Sequence, residues 1–114
     1  MKSMKKIVSI NPATGDVNRE FELYSQERIN ESIKRSKDAF SDCKRLDISK
    51  RGKHLINAAK VLRRRKQELG KIITMEMGKP IKESISEIEK CAWALEYFAT
   101  FCCSCSFRGK CCSS

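Results

Sequence analysis

The spacing of apolar residues divides the chain into a short extended region followed by helices. Residues 7–10 are a short β-branched run, and the apolar positions that follow them alternate: Val17, Phe21 and Leu23. A period of two is typical of strands, and only Arg19 is out of phase with it. Between the two runs, residues 11–16 contain a proline and a glycine, which favour a tight turn. The pattern predicts a β-hairpin over about residues 6–23.

From Ser25 onward the apolar residues recur every three or four positions, a spacing that is typical of helices. Ser25 is a favourable N-cap, and Asp47 or Ser49 can cap the next helix. Gly78 followed by Pro80 is a typical helix stop. The pattern predicts four helices, at about residues 25–44, 49–65, 66–77 and 81–99.

The last predicted helix has the most regular pattern. Its apolar residues, spaced alternately four and three apart, form a narrow seam: Ile81, Ile85, Ile88, Ala92, Leu95 and Ala99. A seam of this length on so short a chain indicates packing against a body larger than the chain itself. Where that body is absent, we expect the seam to be exposed and to promote self-association.

Composition and charge exclude several classes of protein. The 114 residues are 40% hydrophobic and 33% charged, which excludes low-complexity and collagen-like chains. No apolar run approaches the roughly 20 residues that a membrane helix needs. The basic start is followed only by residues 7–10, far short of the apolar core of a secretory signal, so we expect a cytoplasmic protein.

The seven cysteines are unevenly distributed along the chain. Only Cys43 and Cys91 precede residue 100, and five lie in the last thirteen residues: Cys102, Cys103, Cys105, Cys111 and Cys112. All 14 acidic residues lie at or before Glu96. The composition therefore changes near Thr100, and we interpret residues 1–99 as one segment and residues 100–114 as a Cys-rich tail.

Several short motifs, weak singly, occur together in one order. They are the turn Ile10-Asn-Pro-Ala-Thr-Gly-Asp16, Ala39-Phe40, Arg51, Leu55, Ala58 and Leu62, Glu68-Leu69, residues 76–80, Glu87-Ile88 and residues 97–99. In this order, residues 7–99 resemble the N-terminal region of NAD(P)-dependent aldehyde dehydrogenases, with succinate-semialdehyde dehydrogenase-like enzymes nearest. The resemblance implies a mainly α piece with an N-terminal β-hairpin, belonging to the α/β aldehyde dehydrogenase fold but without its Rossmann-like sheet.

The resemblance also implies which functional groups the chain does not contain. Enzymes of this family use a cysteine thiolate to attack the aldehyde, transfer a hydride to NAD or NADP, and release the acid with water activated by a glutamate. No position here matches the motifs that carry these groups, so we assign no catalytic, cofactor-binding or metal residue. We expect the chain alone to bind no cofactor and to be inactive, whereas the family's full-length members are homo-oligomers.

Neither the two body cysteines nor the single histidine matches a catalytic pattern. Cys43 and Cys91 lack a neighbouring activating base and are interpreted as small packing residues. His54 is interpreted as a surface or packing residue. Gly78-Lys79 does not complete a phosphate-binding loop, because that motif needs a glycine at position 73 and a hydroxyl at position 80.

Residues 63–66, three arginines and a lysine, are the strongest indication of a polyanionic partner. Clustered cations can neutralise phosphates, which supports the alternative of a basic helical nucleic-acid-binding module. No zinc-finger, RNP-like or helix-turn-helix pattern accompanies them. A solvated helix end is the favoured interpretation, and we expect no specific nucleic-acid partner and no membrane partner.

Three interpretations of the Cys-rich tail remain open. Its thiolates suit Zn²⁺ or Cu⁺, which supports a thiol-rich metal-binding protein as a second alternative function. Palmitoylation is a further interpretation, although no amphipathic anchor adjoins the cysteines. The third interpretation, which we favour, is a reading frame that is shifted or unrelated after the family resemblance ends.

Overall fold

A computed structural model describes the backbone of residues 5–107 and the side chains of residues 5–101. Its elements in chain order are β1 (Lys6–Ile10), β2 (Val17–Glu22), α1 (Gln26–Cys43), α2 (Ile48–Arg64), α3 (Lys66–Met77) and α4 (Ile81–Phe107). The predicted architecture, a hairpin followed by helices, is confirmed. Helix α4 continues beyond the predicted end at residue 99, because no glycine or proline interrupts residues 100–107.

The hairpin pairs β1 and β2 antiparallel and contains one irregularity. Ser9 pairs with Arg19 and Ile10 with Val17, so that Asn18 is an extra residue on β2. A bulge of this kind shifts the alternation of side chains by one position. It places Arg19 on the same face of the hairpin as Phe21 and leaves Val17 on the opposite face.

Local hydrogen bonds fix the turn and the helix ends. The Asn11 side chain accepts a bond from the Ala13 amide at 2.9 Å, and the Gly15 amide donates to the Asn11 carbonyl at 2.8 Å. Ser25 accepts from the Arg28 amide at 3.3 Å, as expected of an N-cap. Gly78 ends α3 with a φ of 72°, a left-handed conformation that glycine adopts without strain.

Small residues allow α2 and α3 to pack closely against α4. Ala59 on α2 and Ala92 on α4 are both fully buried. Gly70 on α3 faces Ile85 so closely that an added Cβ would lie 2.8 Å from the Ile85 Cγ1 atom. Ser84 is also fully buried, and its hydroxyl is hydrogen-bonded to that of Thr74 at 3.0 Å, which satisfies the buried polar group.

The apolar seam of α4 is covered rather than exposed, so the expectation of an exposed seam is wrong. Ile88, Ala92 and Ala99 are 9%, 0% and 3% exposed, and of the six seam residues only Ile81, at the start of the helix, is exposed, at 40%. The reason is that α2 and α3 both fold back onto this face, where small residues allow a close approach. The opposite face of α4 is exposed and carries four aromatic residues: Trp93, Tyr97, Phe98 and Phe101.

Helix α1 has an apolar face that no other described element covers. None of its residues is buried, and Ile33 and Phe40 are 61% and 64% exposed. The radius of gyration of the chain is 19.0 Å. A compact domain of this length has a radius of gyration of about 13 Å. The chain is therefore an open arrangement in which only α2, α3 and α4 share a core.

Candidate functional site

The structure leaves the cysteines and the histidine considered in the sequence apart from one another. Cys43 lies at the end of α1, Cys91 lies on α4, and both are free and exposed. The interpretation of the two cysteines as packing residues is therefore wrong, since both lie on helix faces that no neighbouring element covers. His54 on α2 is exposed as well. The described residues contain no nucleophile paired with a base.

Three of the four cations at residues 63–66 form ion pairs with glutamates. Arg63 binds Glu96 of α4 through two hydrogen bonds, at 3.2 and 2.7 Å. Lys66 binds Glu89 of α4 at 2.5 Å. The third pair, Arg65 with Glu68, lies within α3 and its N-terminal cap at 2.6 Å. Two of the four cations, Arg63 and Lys66, therefore connect the junction of α2 and α3 to α4.

The same ion pairs shift the titration of their members. The hydrogen bond from Arg63 holds the pKa of Glu96 below its ordinary value, and the hydrogen bond from Lys66 does the same for Glu89. The hydrogen bond to Glu96 raises the pKa of Arg63 in turn. These shifts favour the charged forms of exposed groups. They are the signature of surface ion pairs, and none moves a group toward the neutral range where a general acid or base works.

A shallow groove of about 250 Å³ lies between the hairpin and α3. It is lined by Asn18, Arg19, Phe21, Ile72, Met75 and Glu76. The bulged residue Asn18 donates from its amide Nδ2 to the Met75 carbonyl at 2.9 Å, and the Ser9 hydroxyl donates to Glu76 at 3.1 Å. The Arg19 guanidinium lies over the Phe21 ring, 5.3 Å from its centroid.

Most polar groups of this groove are engaged in joining the hairpin to α3. The groove therefore marks the contact between the hairpin and α3. The role of Asn18 as a contact residue was not predicted from the sequence. The only available signal was the broken alternation at the next position, which marks the bulge without showing what the side chain reaches.

Gly78 and Lys79 confirm the helix-stop interpretation and not a phosphate site. Gly78 caps α3, with its amide donating to the Thr74 carbonyl at 2.9 Å, and its backbone lies against Pro12 of the hairpin turn. Lys79 is ion-paired with Glu87 on α4. Both residues thus connect α3 to its neighbours.

Among the side chains of residues 5–101, no group of three or more metal-binding residues converges. The side chains of the five tail cysteines lie outside the described part of the chain: Cys102, Cys103, Cys105, Cys111 and Cys112. Within residues 5–107, no helix combines the length and apolar character needed to cross a membrane.

The comparisons with known proteins agree on one family. The profile of the aldehyde dehydrogenase family matches residues 1–110, which is nearly the whole chain. The chain belongs to the aldehyde dehydrogenase family. The match extends past residue 99, and so does α4.

Individual relatives place the chain at the N-terminal side of that family's fold. It is similar to a probable NADP(+)-dependent succinate-semialdehyde dehydrogenase of Synechocystis sp., 36% identical over 93 residues, which are 82% of this chain and 20% of the relative. The mitochondrial succinate-semialdehyde dehydrogenase of Arabidopsis thaliana is 38% identical over 95 residues, covering 83% and 18% of the two chains. The chain thus spans about a fifth of the length of these relatives.

A solved structure shares the fold of this chain. The NADP-dependent glyceraldehyde-3-phosphate dehydrogenase of Bacillus halodurans, solved with NADP, superposes with a TM-score of 0.79 at 31% identity. The superposition covers 84% of this chain and 20% of that enzyme. The observed hairpin and helices are therefore an N-terminal piece of the aldehyde dehydrogenase fold.

Proposed function

We propose that this chain supplies the N-terminal segment of an NADP-dependent aldehyde dehydrogenase that oxidises succinate semialdehyde or a similar semialdehyde. The choice of substrate and cofactor is supported by the relatives from Synechocystis and Arabidopsis, which are named for succinate semialdehyde, and by the NADP-dependent neighbour. The segment contributes packing surface and leaves the chemistry to residues outside it. We propose that the chain by itself neither binds NADP nor oxidises aldehydes.

The observation that carries this proposal is the open shape of the chain. Helix α1 is amphipathic and has a well-formed cap, yet its apolar face is uncovered. The aromatic face of α4 is likewise exposed, with Trp93, Tyr97 and Phe101 in a ladder of ring contacts at 5.9 Å. Contiguous exposed apolar patches on a soluble protein mark contact surfaces. A larger domain packed on α1 and α4 accounts for both.

A chimeric enzyme tests the segment's role. Residues 1–99 replace the matching N-terminal fifth of the Synechocystis relative, and NADPH formation with succinate semialdehyde is followed by absorbance. We expect kcat to lie within about tenfold of that of the Synechocystis enzyme, because the segment does not contact the reacting groups. A tenfold change corresponds to about 1.4 kcal/mol of activation free energy. A second chimera, with Gly70→Val, controls for packing and should be poorly folded. A well-folded first chimera without activity would contradict the proposed role.

The second arm concerns the 114-residue chain itself. Incubated with NADP and succinate semialdehyde, it should form no NADPH above a protein-free blank. Equilibrium dialysis should show no retained NADP at concentrations where the parent enzyme is saturated. NADPH formation above the blank that requires the intact chain, whether it is lost or retained in Cys43→Ser and Cys91→Ser, would overturn the proposal that the segment is inactive alone.

A further inference from the structure

The net charge of the molecule is concentrated on one short stretch. Residues 44–66 contain ten lysines or arginines and a single acidic residue, Asp47, so they carry +9 of the total charge of +10. Residues 67–114 contain six basic and six acidic residues and are neutral overall. Because long-range attraction depends on where charge is concentrated, the α2 side of the molecule sets its electrostatic field.

Within this stretch the structure separates cations that are paired from cations that are free. Arg63 and Lys66 are bound to carboxylates of α4, and Arg65 to Glu68. Four other cations lie further along the exposed side of α2: Lys50, Lys53, Lys60 and Arg64. Among the described side chains, none lies within ion-pairing distance of these four. We call these four residues the cationic stripe.

The cationic stripe has the geometry of one helix face. Its residues, with Asn57 between them, are spaced three, four, three and four positions apart, which places them in a row along the helix. Gly52 and Ala59, the buried residues of α2, lie on the opposite side. From Lys50 to Arg64 the row is about 21 Å long, at a rise of about 1.5 Å per residue.

From this arrangement we propose that the cationic stripe binds the phosphate backbone of duplex nucleic acid without sequence preference. A straight row of unpaired cations on a rigid helix can follow the row of phosphates along one strand of a duplex, which advances about 3.4 Å of axis per charge. The stripe contains no arginine pair or amide pair aimed at one point, so nothing in it reads base edges.

The position of the aromatic residues favours a duplex over a single strand. Proteins that hold single strands place stacking aromatics beside the cations. Here the aromatic face of α4 points away from the helices that cover its seam, whereas the cationic stripe points away from α4. The two surfaces lie on opposite sides of the packed helices, so one strand cannot engage both. The proposal does not rest on dehydrogenase function.

The test is the salt dependence of binding by the full chain to a labelled 20-base-pair duplex, measured by fluorescence anisotropy. Four phosphate contacts give a slope of about −3.6 for log K against log salt, so that affinity falls about 150-fold between 50 and 200 mM salt. Neutralising the stripe with Lys50→Gln, Lys53→Gln, Lys60→Gln and Arg64→Gln should remove most of this slope. Each single substitution should reduce it by about 0.9.

A matched variant distinguishes binding by the cationic stripe from binding by the overall charge of the chain. Lys34→Gln, Lys71→Gln, Lys82→Gln and Lys90→Gln remove the same four charges from α1, α3 and α4, at exposed positions. This variant should keep the slope of the parent, with circular dichroism confirming that both variants remain helical. An equal loss in the two variants would show binding by diffuse charge and overturn the assignment.

Binding of the chain to other polyanions provides the remaining outcomes of the test. Two duplexes of unrelated sequence should bind within about threefold of each other, and a single strand of equal length should bind no tighter than the duplex. Tighter binding, per phosphate, to vesicles containing phosphatidylserine would assign the stripe to a lipid surface instead. Either that result or a tenfold preference for one duplex sequence would overturn the proposal.

Discussion

Gly70 determines how closely α3 can approach α4. A Cβ at this position would lie 2.8 Å from the Ile85 Cγ1 atom and 3.4 Å from the Ile85 backbone nitrogen. The first distance is shorter than carbon atoms tolerate, and the Ile85 side chain branches too near the backbone to move away freely. The adjacent buried pair of hydroxyls, Ser84 and Thr74, requires the same close approach. The absence of a side chain at Gly70 therefore permits the close contact between α3 and α4.

Replacing Gly70 by alanine should therefore destabilise the chain even though alanine favours helices. The helix gains about 1 kcal/mol from losing a glycine, whereas overpacking costs about 1–3 kcal/mol, which leaves a net loss of about 1 kcal/mol. Urea denaturation followed by circular dichroism measures the change. The double variant Gly70→Ala with Ile85→Ala should lose less stability than the two single variants added together, because the clash is gone. Additive losses would contradict the contact.

At the residue scale, sequence signals were sufficient where the cause is local. The Ser25 cap and the Gly78 stop depend on neighbours within four residues, and both are confirmed. The roles of Gly70 and Asn18 depend on residues 15 and 57 positions away. No local pattern distinguishes a glycine that permits helix contact from one that merely weakens a helix, so neither role could be predicted.

At the element scale, helix α4 is held by apolar packing on one face and by ion pairs at its edges. Glu89 and Glu96 are seven residues apart, two turns along the same side, and face Lys66 and Arg63. The sequence predicted the apolar seam of α4 but assigned the basic run to solvent. Pairing between separate helices could not be inferred, because periodicity fixes which residues share a face and not which faces meet.

These ion pairs should make stability depend on pH in the acid range. In the folded state the pKa values of Glu68, Glu89 and Glu96 lie below the ordinary value of 4.5. Their contribution to folding is therefore present above about pH 4.5 and is lost as the pH falls through the lowered pKa values. The effect is small, since all three carboxylates are exposed. Urea midpoints at pH 7 and pH 3 measure it.

Because acid also increases the net positive charge, a matched pair of variants is needed. Glu96→Gln removes a paired carboxylate, and the midpoint should change less between pH 7 and pH 3 than in the parent. Glu31→Gln removes an exposed carboxylate of α1, beyond the first turn of that helix, that has no ion pair among the described side chains. It should retain the parental pH dependence, and an equal response of the two variants would assign the effect to general repulsion.

At the scale of the whole molecule, the chain divides into a packed part and an unsupported part. Helices α2, α3 and α4 share buried residues, whereas α1 buries none. The apolar pattern predicted all four helices and an exposed apolar surface, but the predicted surface was the seam of α4, whereas the exposed surface is its aromatic face. An amphipathic pattern shows that a helix has an apolar face, but not which element covers it. In this chain α2 and α3 pack against the seam of α4, whereas no described element covers the apolar face of α1.

This division predicts that apolar residues of α1 matter only when the rest of an aldehyde dehydrogenase domain is present. In the free chain, Ile33→Ser and Phe40→Ser should each change stability by less than about 0.5 kcal/mol, as exposed positions do. Ile88→Ala, in the covered seam, should cost about 2 kcal/mol or more in the same urea measurement. In the active chimera described above, Phe40→Ser should instead cost about 1.5–3 kcal/mol, because the side chain would there be buried. Equal tolerance of Phe40→Ser in both settings would show that α1 remains uncovered in the assembled enzyme, which would remove the structural basis of the proposed role.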